Sequence, residues 1–419
     1  MRRRVVVTGL GVVSPIGSGA ERFWAALLAG TNGVARVTHF DVAGYRSQLA
    51  GEVKEFDPSA WMDAKSVPRL DRFAQFAIAA ATLAWRDARL DGSGFDDTRA
   101  GVIVGSGIGG GQAIEEGAAT LAAKGPRALS PFLVPKLLVN AAACQVSIRF
   151  GLKGPLSAPS VACSTGSNAV GDACRIIERG DADLMLAGSA EACITPLAYG
   201  GFCATRSMTT SDSPETASRP FDRHRDGFVM GEGAGIAVLE AREHAQRRGA
   251  RVWAEVVGYG STADAHHLTA PEPDGDGMAR VMAAALRDAG LAPPDVGHIN
   301  AHGTSTPLND RIESAAIGRV FGPHARALKV SSTKSMIGHC MAAAGALEFV
   351  ATALSVHAGL VPPTINYRTP DPDCPLDYVT AGPVPMRPRV ALSNSFGFGG
   401  GNACLAVRAH EPDPLPDAP

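Results

Sequence analysis

Apolar runs alternate with alanine-rich amphipathic stretches along most of the chain. VVVTGLGVV (5–13) reads as a buried strand followed by a glycine turn, and RFAQFAIAAATLAWRDARL (72–90) as an amphipathic helix. AGVIVGSGIGGG (100–111) predicts a strand running into a glycine loop. Residues 161–180 start at a strand end and continue as a helix, and DLMLAGSAEA (183–192) is a further apolar strand. Strand and helix in alternation imply an α/β fold around a mostly buried sheet. The second half repeats the plan. RVWAEVVGYGST (251–262) resembles the opening strand, GMARVMAAALRDAG (277–290) is a helix, and GHINAHGTST (297–306) is a strand ending in a polar loop. ALKVSSTKSMIGH (327–339) leads through a small-residue turn into an alanine-rich helix, and VALSNSFGFGGGNACLAVR (390–408) closes as two strands around a glycine loop. Two topologically similar halves, 1–255 and 256–410, are therefore expected. The polar, proline-containing stretch 208–226 predicts a long surface excursion. The tail 411–419 (EPDPLPDAP) predicts disorder.

Composition narrows the classes. A hydrophobic share of 45% with 19% charged residues is globular, and a formal net charge of −2 removes the basic footprint of a general nucleic-acid binder. The eight cysteines (144, 163, 174, 193, 203, 340, 374 and 404) form no CxxC pair, which argues against a zinc ribbon, and no metal is expected. No secretory leader is recognisable ahead of the first strand, so free thiols in a reducing, cytoplasmic setting are expected. The best membrane candidate, 341–356, is short and carries Glu348; no membrane partner is expected.

Few motifs carry chemistry. GSGIGG (105–110) fits a dinucleotide fingerprint in form, but no acidic residue follows at the distance a ribose needs, and a glycine turn beside a cavity fits as well. VACSTG (161–166) is more specific. It places Cys163 where a strand gives way to a helix, and N–H groups at a helix start favour a thiolate. His302 in NAHGTSTP (300–307) follows a strand. His339 in STKSMIGH (332–339) stands at the start of a helix, where an imidazole stays neutral and donates one ring N–H. All three fall at predicted strand ends, which converge on one crevice in an open α/β sheet. Glu348 lies in an otherwise apolar helix and needs a partner, for which Lys334 is suited.

These segments, with VVVTGLGVVSPIG (5–17), RPFDRHRDGFVMGEGAG (219–235), NAHGTSTPLND (300–310) and NSFGFGGGNA (394–403), resemble the β-ketoacyl–acyl carrier protein synthases. The likeness is to the elongation type, often called synthase II, of the thiolase superfamily, and it spans residues 5–403. It implies a duplicated five-layer αβαβα fold and a dimer. It also implies decarboxylative Claisen condensation of an acyl group on Cys163 with malonyl-acyl carrier protein, in fatty acid or type II polyketide biosynthesis. In this reading His302 and His339 bind the malonyl thioester and stabilise its enolate. The N–H groups of Cys163 and Phe398 form the oxyanion hole, Phe398 gates the site, and Lys334 and Glu348 hold the His339 side. Ile108 and Phe202 match the acyl pocket. Thr304 and Thr306 match groups on the phosphopantetheine arm, with Asp264 and Thr269 beside it. Lys65, Arg69, Arg127 and Arg206 match basic docking residues for an acidic carrier protein. No cofactor beyond the carrier's phosphopantetheine is implied, although relatives hold a monovalent cation near the glycine loop.

The sequence departs from the family at three points. Gly401 stands where Thr is usual, Asn309 where Gly is usual, and Lys136 puts a charge in the apolar run 131–139 near the dimer interface and acyl tunnel. These leave the chemistry intact and bear on acyl choice and partner. A homodimer and a heterodimer with a chain-length-factor homologue both stay open. So does the ketosynthase subunit of a dedicated polyketide or polyene pathway. A non-decarboxylating thiolase would need a second cysteine in the C-terminal glycine loop, which FGFGGG (396–401) lacks. A chain-length partner would have lost its nucleophile, and a cysteine hydrolase would carry a GxCxG or GxSxG elbow.

Overall fold

The computed structural model describes residues 2–411. The tail beyond Glu411, where disorder is expected, lies outside the described residues. Ten principal strands form the frame: β1 (Val5–Ser14), β2 (Ala100–Gly105), β3 (Leu156–Ser157), β4 (Leu184–Glu191), β5 (Gly233–Ala241), β6 (Ala254–Ala263), β7 (His298–Asn300), β8 (Lys329–Ser331), β9 (Val390–Phe396) and β10 (Gly401–Arg408). One half runs β1-β5-β4-β2-β3 and the other β6-β10-β9-β7-β8. In each half the first two junctions are antiparallel and the last two parallel. β1 and β6 join the halves by a short antiparallel ladder, Val5 opposite Val256 to Val7 opposite Ala254.

Eight helices give the layers: α1 (Arg72–Asp87), α2 (Gly111–Lys124), α3 (Leu133–Leu137), α4 (Ala141–Phe150), α5 (Thr165–Arg179), α6 (Asp276–Ala289), α7 (Pro307–Phe321) and α8 (Ala344–Ala358). α1 and α4 cover the outer face of the first half, and α6 and α7 that of the second. α5 and α8 pack on each other and touch strands of both halves, which completes the αβαβα stacking. The stretch Met341–Ala358 is long and apolar enough to cross a membrane by length and composition, but 89% of it is buried within the protein. It is the central core helix, apolar on every side because it is covered on every side.

The opening strand corrects one expectation. Gly9 and Gly11 make no turn; β1 runs on to Ser14 with all ten residues buried, and the chain turns only beyond it, at Pro15–Ile16. Its glycines serve helix packing instead. A Cβ on Gly9 would lie 2.2 Å from the Ala84 carbonyl oxygen of α1, and one on Gly11 only 1.9 Å from that of Ala80. β6 repeats the device beneath α6. Gly258 faces the Ala285 carbonyl at 2.4 Å and Gly260 that of Val281 at 2.4 Å. Even the register slips match, between Val7 and Gly9 in one strand and between Val256 and Gly258 in the other. A second correction concerns 208–226, which lies at the surface only in part. Met208, Ala217, Phe221, Asp222 and Arg225 are buried, and Arg225 donates to the carbonyl oxygens of Thr306 and Pro307. Its polar composition serves internal hydrogen bonds as well as solvent.

Candidate active site

Loops from both halves enclose a cavity of about 400 Å³ that contains Cys163, His302, His339 and Phe398. Cys163 sits in a tight turn, Ala162–Ser164, that leads into α5. The expected buried strand before it is instead the short, exposed edge strand β3, five residues upstream. Ala162 has φ 45°, a left-handed conformation that costs a non-glycine residue about 1–3 kcal/mol. Local hydroxyls hold it. Thr165 Oγ1 accepts from Val161 N at 2.8 Å and donates to the Ala162 carbonyl at 2.8 Å. The glycine loop presses close: a Cβ on Gly397 would lie 2.9 Å from the Val161 oxygen and 3.2 Å from Cys163 N. This approach aims the Phe398 N–H at the Cys163 sulfur.

The thiol departs from expectation. Burial pushes it up to about 11, although the Phe398 N–H and the Lys334 ammonium pull the other way. Desolvation outweighs what the helix start contributes, so the resting group is a thiol.

His339 Nε2 lies 3.0 Å from Cys163 Sγ. His339 is not in a helical first turn; it lies in the connector between a short helix, Lys334–Ile337, and a turn, Met341–Ala343, that enters α8. Its backbone N–H donates to the Val229 oxygen at 2.7 Å, and the Phe228 ring meets its imidazole edge-on at 5.5 Å. The first half of the chain thus places a histidine of the second.

His302 stands two residues beyond β7, its ring 5.4 Å from that of His339 and perpendicular to it. Glu313, in the second turn of α7, accepts the backbone N–H groups of His302 (2.9 Å) and Gly303 (2.8 Å). Burial drives both imidazoles well below their ordinary value, and Lys334 adds to the shift. Both rings are neutral near pH 7.

Lys334 and Glu348 form a buried ion pair. Burial raises the Glu348 carboxyl to about 7 against the pull of Lys334. The pair abuts the opposite histidine from the one expected: Lys334 Nζ is 3.4 Å from His302 Nδ1. Three nearby buried oxygens, Asn300 Oδ1, Ser393 Oγ and Glu348 Oε2, have no hydrogen-bond partner. Asn300 and Ser393 are opposed in the β7–β9 ladder, and Asn300 Nδ2 donates to the Glu348 carbonyl. Such an oxygen set fits a monovalent cation.

Phe202, Asp264, Thr269, Thr304 and Thr306 all line the cavity. The hydroxyls of Thr304 and Thr306 are 2.9 Å apart. Asp264 accepts from Asn402 Nδ2 at 2.6 Å and its backbone N–H donates to Gly400, which ties it to the Phe398 loop. Ile108 does not line this cavity; it packs beside Phe202 in the adjoining apolar cluster. Arg206 stands at the mouth, whereas Lys65, Arg69 and Arg127 are exposed on other segments and do not line it.

Two of the departures touch the site. Asn309 lines the cavity and donates to Asp310 at 3.1 Å. Gly401 faces Val161, where a Cβ would lie 2.6 Å from Cγ1. Lys136 lies on α3, its charge acting on the Asp71 carboxylate. Sequence reasoning missed Glu313 and Phe228. Glu313 left a signal, since Asp310 and Glu313 are carboxylates one turn apart on a helix of small residues. Phe228 left none.

Residues 2–245 match the N-terminal domain of the β-ketoacyl synthases, and residues 253–368 match the C-terminal domain. A 3-oxoacyl-[acyl-carrier-protein] synthase 2 of Staphylococcus aureus is 50% identical over 409 residues, 98% of this chain and 99% of that one. A type II polyketide ketosynthase solved with its acyl-carrier protein is 38% identical with a TM-score of 0.91, covering 98% of this chain and 100% of that one. The ishigamide ketosynthase/chain length factor gives 38% and 0.92 at the same coverage.

Proposed function

The chain belongs to the β-ketoacyl synthases and is an elongating ketosynthase, and from that premise we propose how its residues divide the reaction. One observation carries the assignment: a buried thiol 3.0 Å from a neutral imidazole, with a second neutral imidazole beside it. In the first half-reaction His339 Nε2 takes the thiol proton while Cys163 Sγ attacks the carbonyl of the acyl-carrier thioester. The N–H groups of Cys163 and Phe398 hold the oxyanion. The carbon–sulfur bond to the carrier breaks, and the departing pantetheine thiolate takes the proton.

Malonyl-carrier protein then enters. Loss of carbon dioxide leaves the bond's electron pair on an enolate, whose oxygen accepts from His302 and, once its ring proton sits on Nε2, from His339. A single well-placed donor of this kind is worth about 2.7–4 kcal/mol. Neutral rings suit this role because each keeps one N–H without adding a charge to a dry site. The carbanion attacks the acyl carbonyl on Cys163, a carbon–carbon bond forms, and the sulfur leaves as a thiolate that takes up a proton from water.

Lys334 fixes the His302 ring through Nδ1, and Glu348 balances its charge. Asn300, Ser393 and Glu348 would hold a monovalent cation, which would offset the carboxylate. Thr304, Thr306, Thr269 and Asp264 line the path of the pantetheine arm. Phe202, Ile108 and Phe398 bound the acyl side. The chemistry uses no cofactor beyond the carrier's phosphopantetheine, and we place the enzyme in the cytoplasm. The halves 1–255 and 256–410 contribute the nucleophile and the two histidines respectively.

Arg206 at the mouth supports docking of an acidic carrier protein, with Lys65, Arg69 and Arg127 extending the basic surface. Edge strand β3 and exposed Val134, Leu138 and Ile148 support a dimer face. Fatty acid elongation is favoured by the 50% identity to the synthase 2 relative against 38% for the polyketide ketosynthases. The specific observation for a dedicated polyketide heterodimer is Lys136, a partly buried cation on that otherwise apolar face. Intact-mass spectrometry decides, with the protein offered acyl-carrier thioesters of two to sixteen carbons beside a Cys163→Ala control. Acyl mass on the wild type alone, followed by β-ketoacyl product on adding malonyl-carrier protein, is expected. Acylation of Cys163→Ala would refute the assignment, and acylation only with a partner subunit would favour the heterodimer.

A further inference from the structure

Glu191 ends β4 and is fully buried, and among the described residues no cation pairs with it. A buried carboxylate without a counter-ion must be repaid in hydrogen bonds. Here the donors come from one turn. Gly107 N donates at 2.8 Å, Ser106 Oγ at 3.0 Å and Ile108 N at 3.4 Å. Ser106 Oγ in turn accepts from Gly109 N at 3.1 Å. Four consecutive residues at the end of β2 are thereby tied to a single side chain. The backbone N–H of Ala342, three residues beyond His339, donates to the same carboxylate from the other half of the chain. The packing has no slack: a Cβ on Gly107 would lie 2.8 Å from Glu191 Oε2 and 3.4 Å from Ala342 Cβ.

This turn carries Ile108, which packs in one cluster with Phe202 and Met341, both of which line the Cys163 cavity. Gly111, which has no side chain, backs Ile108. A Cβ on Gly111 would lie 3.2 Å from the Ile108 Cγ2. We propose that Glu191 is a positioning residue: it clamps the Ser106–Gly109 turn against the segment following His339, holds Ile108 forward, and so sets the acyl length that the Cys163 pocket accepts. The inference rests on the ketosynthase reading above. Released from the clamp, Ile108 withdraws toward Gly111 and the pocket lengthens.

Glu191→Gln tests it. The amide keeps the volume but turns an NH2 toward backbone N–H donors, so the turn loses acceptors. The readout is kcat/KM for acylation of Cys163 in the full-length protein, with carrier thioesters from six to sixteen carbons. The ratio of long-chain to short-chain values should rise about tenfold, the scale on which one methylene is discriminated in an apolar pocket. Acylation by the shortest chain should change little. A uniform fall at every length, or an unchanged ratio, would overturn the proposal, because a merely structural residue affects all lengths alike. If Glu191→Gln does not fold by circular dichroism, Ser106→Ala decides. It removes one donor and should shift the ratio the same way by less; an unchanged ratio overturns the idea. Wild-type protein that takes no acyl group from any carrier would overturn the ketosynthase chemistry and this proposal with it.

Discussion

The protonation state of Cys163 makes a sharp kinetic prediction. Burial holds the thiol at about 11 against an ordinary 9.0. Two pH units are a hundredfold in thiolate population. At pH 7.5 the resting site would then hold about 0.03% thiolate, where an ordinary thiol of this kind would hold about 3%. The neighbouring imidazole does not rescue the anion, because His339 itself is driven well below its ordinary value and carries no charge to share. Alkylation by iodoacetamide, which needs the thiolate and no substrate-driven proton transfer, should therefore be slow and climb steadily with pH. The assay is the pseudo-first-order inactivation rate from pH 6 to pH 10, with the modified peptide located by mass, since all eight cysteines are free and Cys144 is half-exposed. The logarithm of the rate should rise with unit slope and show no break below about pH 10. A plateau with a break near pH 7 would refute the reasoning. It would mean that the resting site is a thiolate–imidazolium pair and that His339 acts as a cation.

Three further outcomes are expected. Lys334→Met leaves Glu348 buried without its partner, which should cost about 3–5 kcal/mol in urea denaturation at pH 8. Because burial already holds that carboxyl near 7, it takes up a proton at pH 6, so the loss should shrink as pH falls; a pH-independent loss contradicts this. Replacing Thr304 and Thr306 together by Val removes two cavity hydroxyls, each worth about 0.5–1.5 kcal/mol, and should raise KM for the carrier thioester by about tenfold with kcat little changed. Gly401→Thr pushes a Cβ to 2.6 Å from Val161 Cγ1 and should cost about 1–3 kcal/mol by thermal melting. Adding Val161→Ala should restore most of that loss, and additive penalties in the double variant would show that the two positions do not touch.

Much of the architecture was legible in the order of residues. The alternation of apolar strands with alanine-rich helices encodes an α/β sheet covered on both sides, and its recurrence after residue 250 encodes the duplication, because burial by helices above and below demands the same pattern each time. The flanks of Cys163, His302 and His339 were legible too, since small polar residues and glycines are what a chain needs to turn tightly beside a reacting group. The paired glycines of β1 were visible but misread as a turn. Their use in close contact with Ala80 and Ala84 depends on a helix seventy residues away. What only the tertiary structure decided are the relations between distant segments. The Lys334–Glu348 pair serves His302 rather than His339, Glu313 clamps the His302 backbone, and Phe228 supports His339 from the other half. The sign of the Cys163 shift belongs to the same class. A helix start is a local feature and argues for a thiolate, whereas desolvation is summed over every segment that closes the cavity, and that sum is the larger.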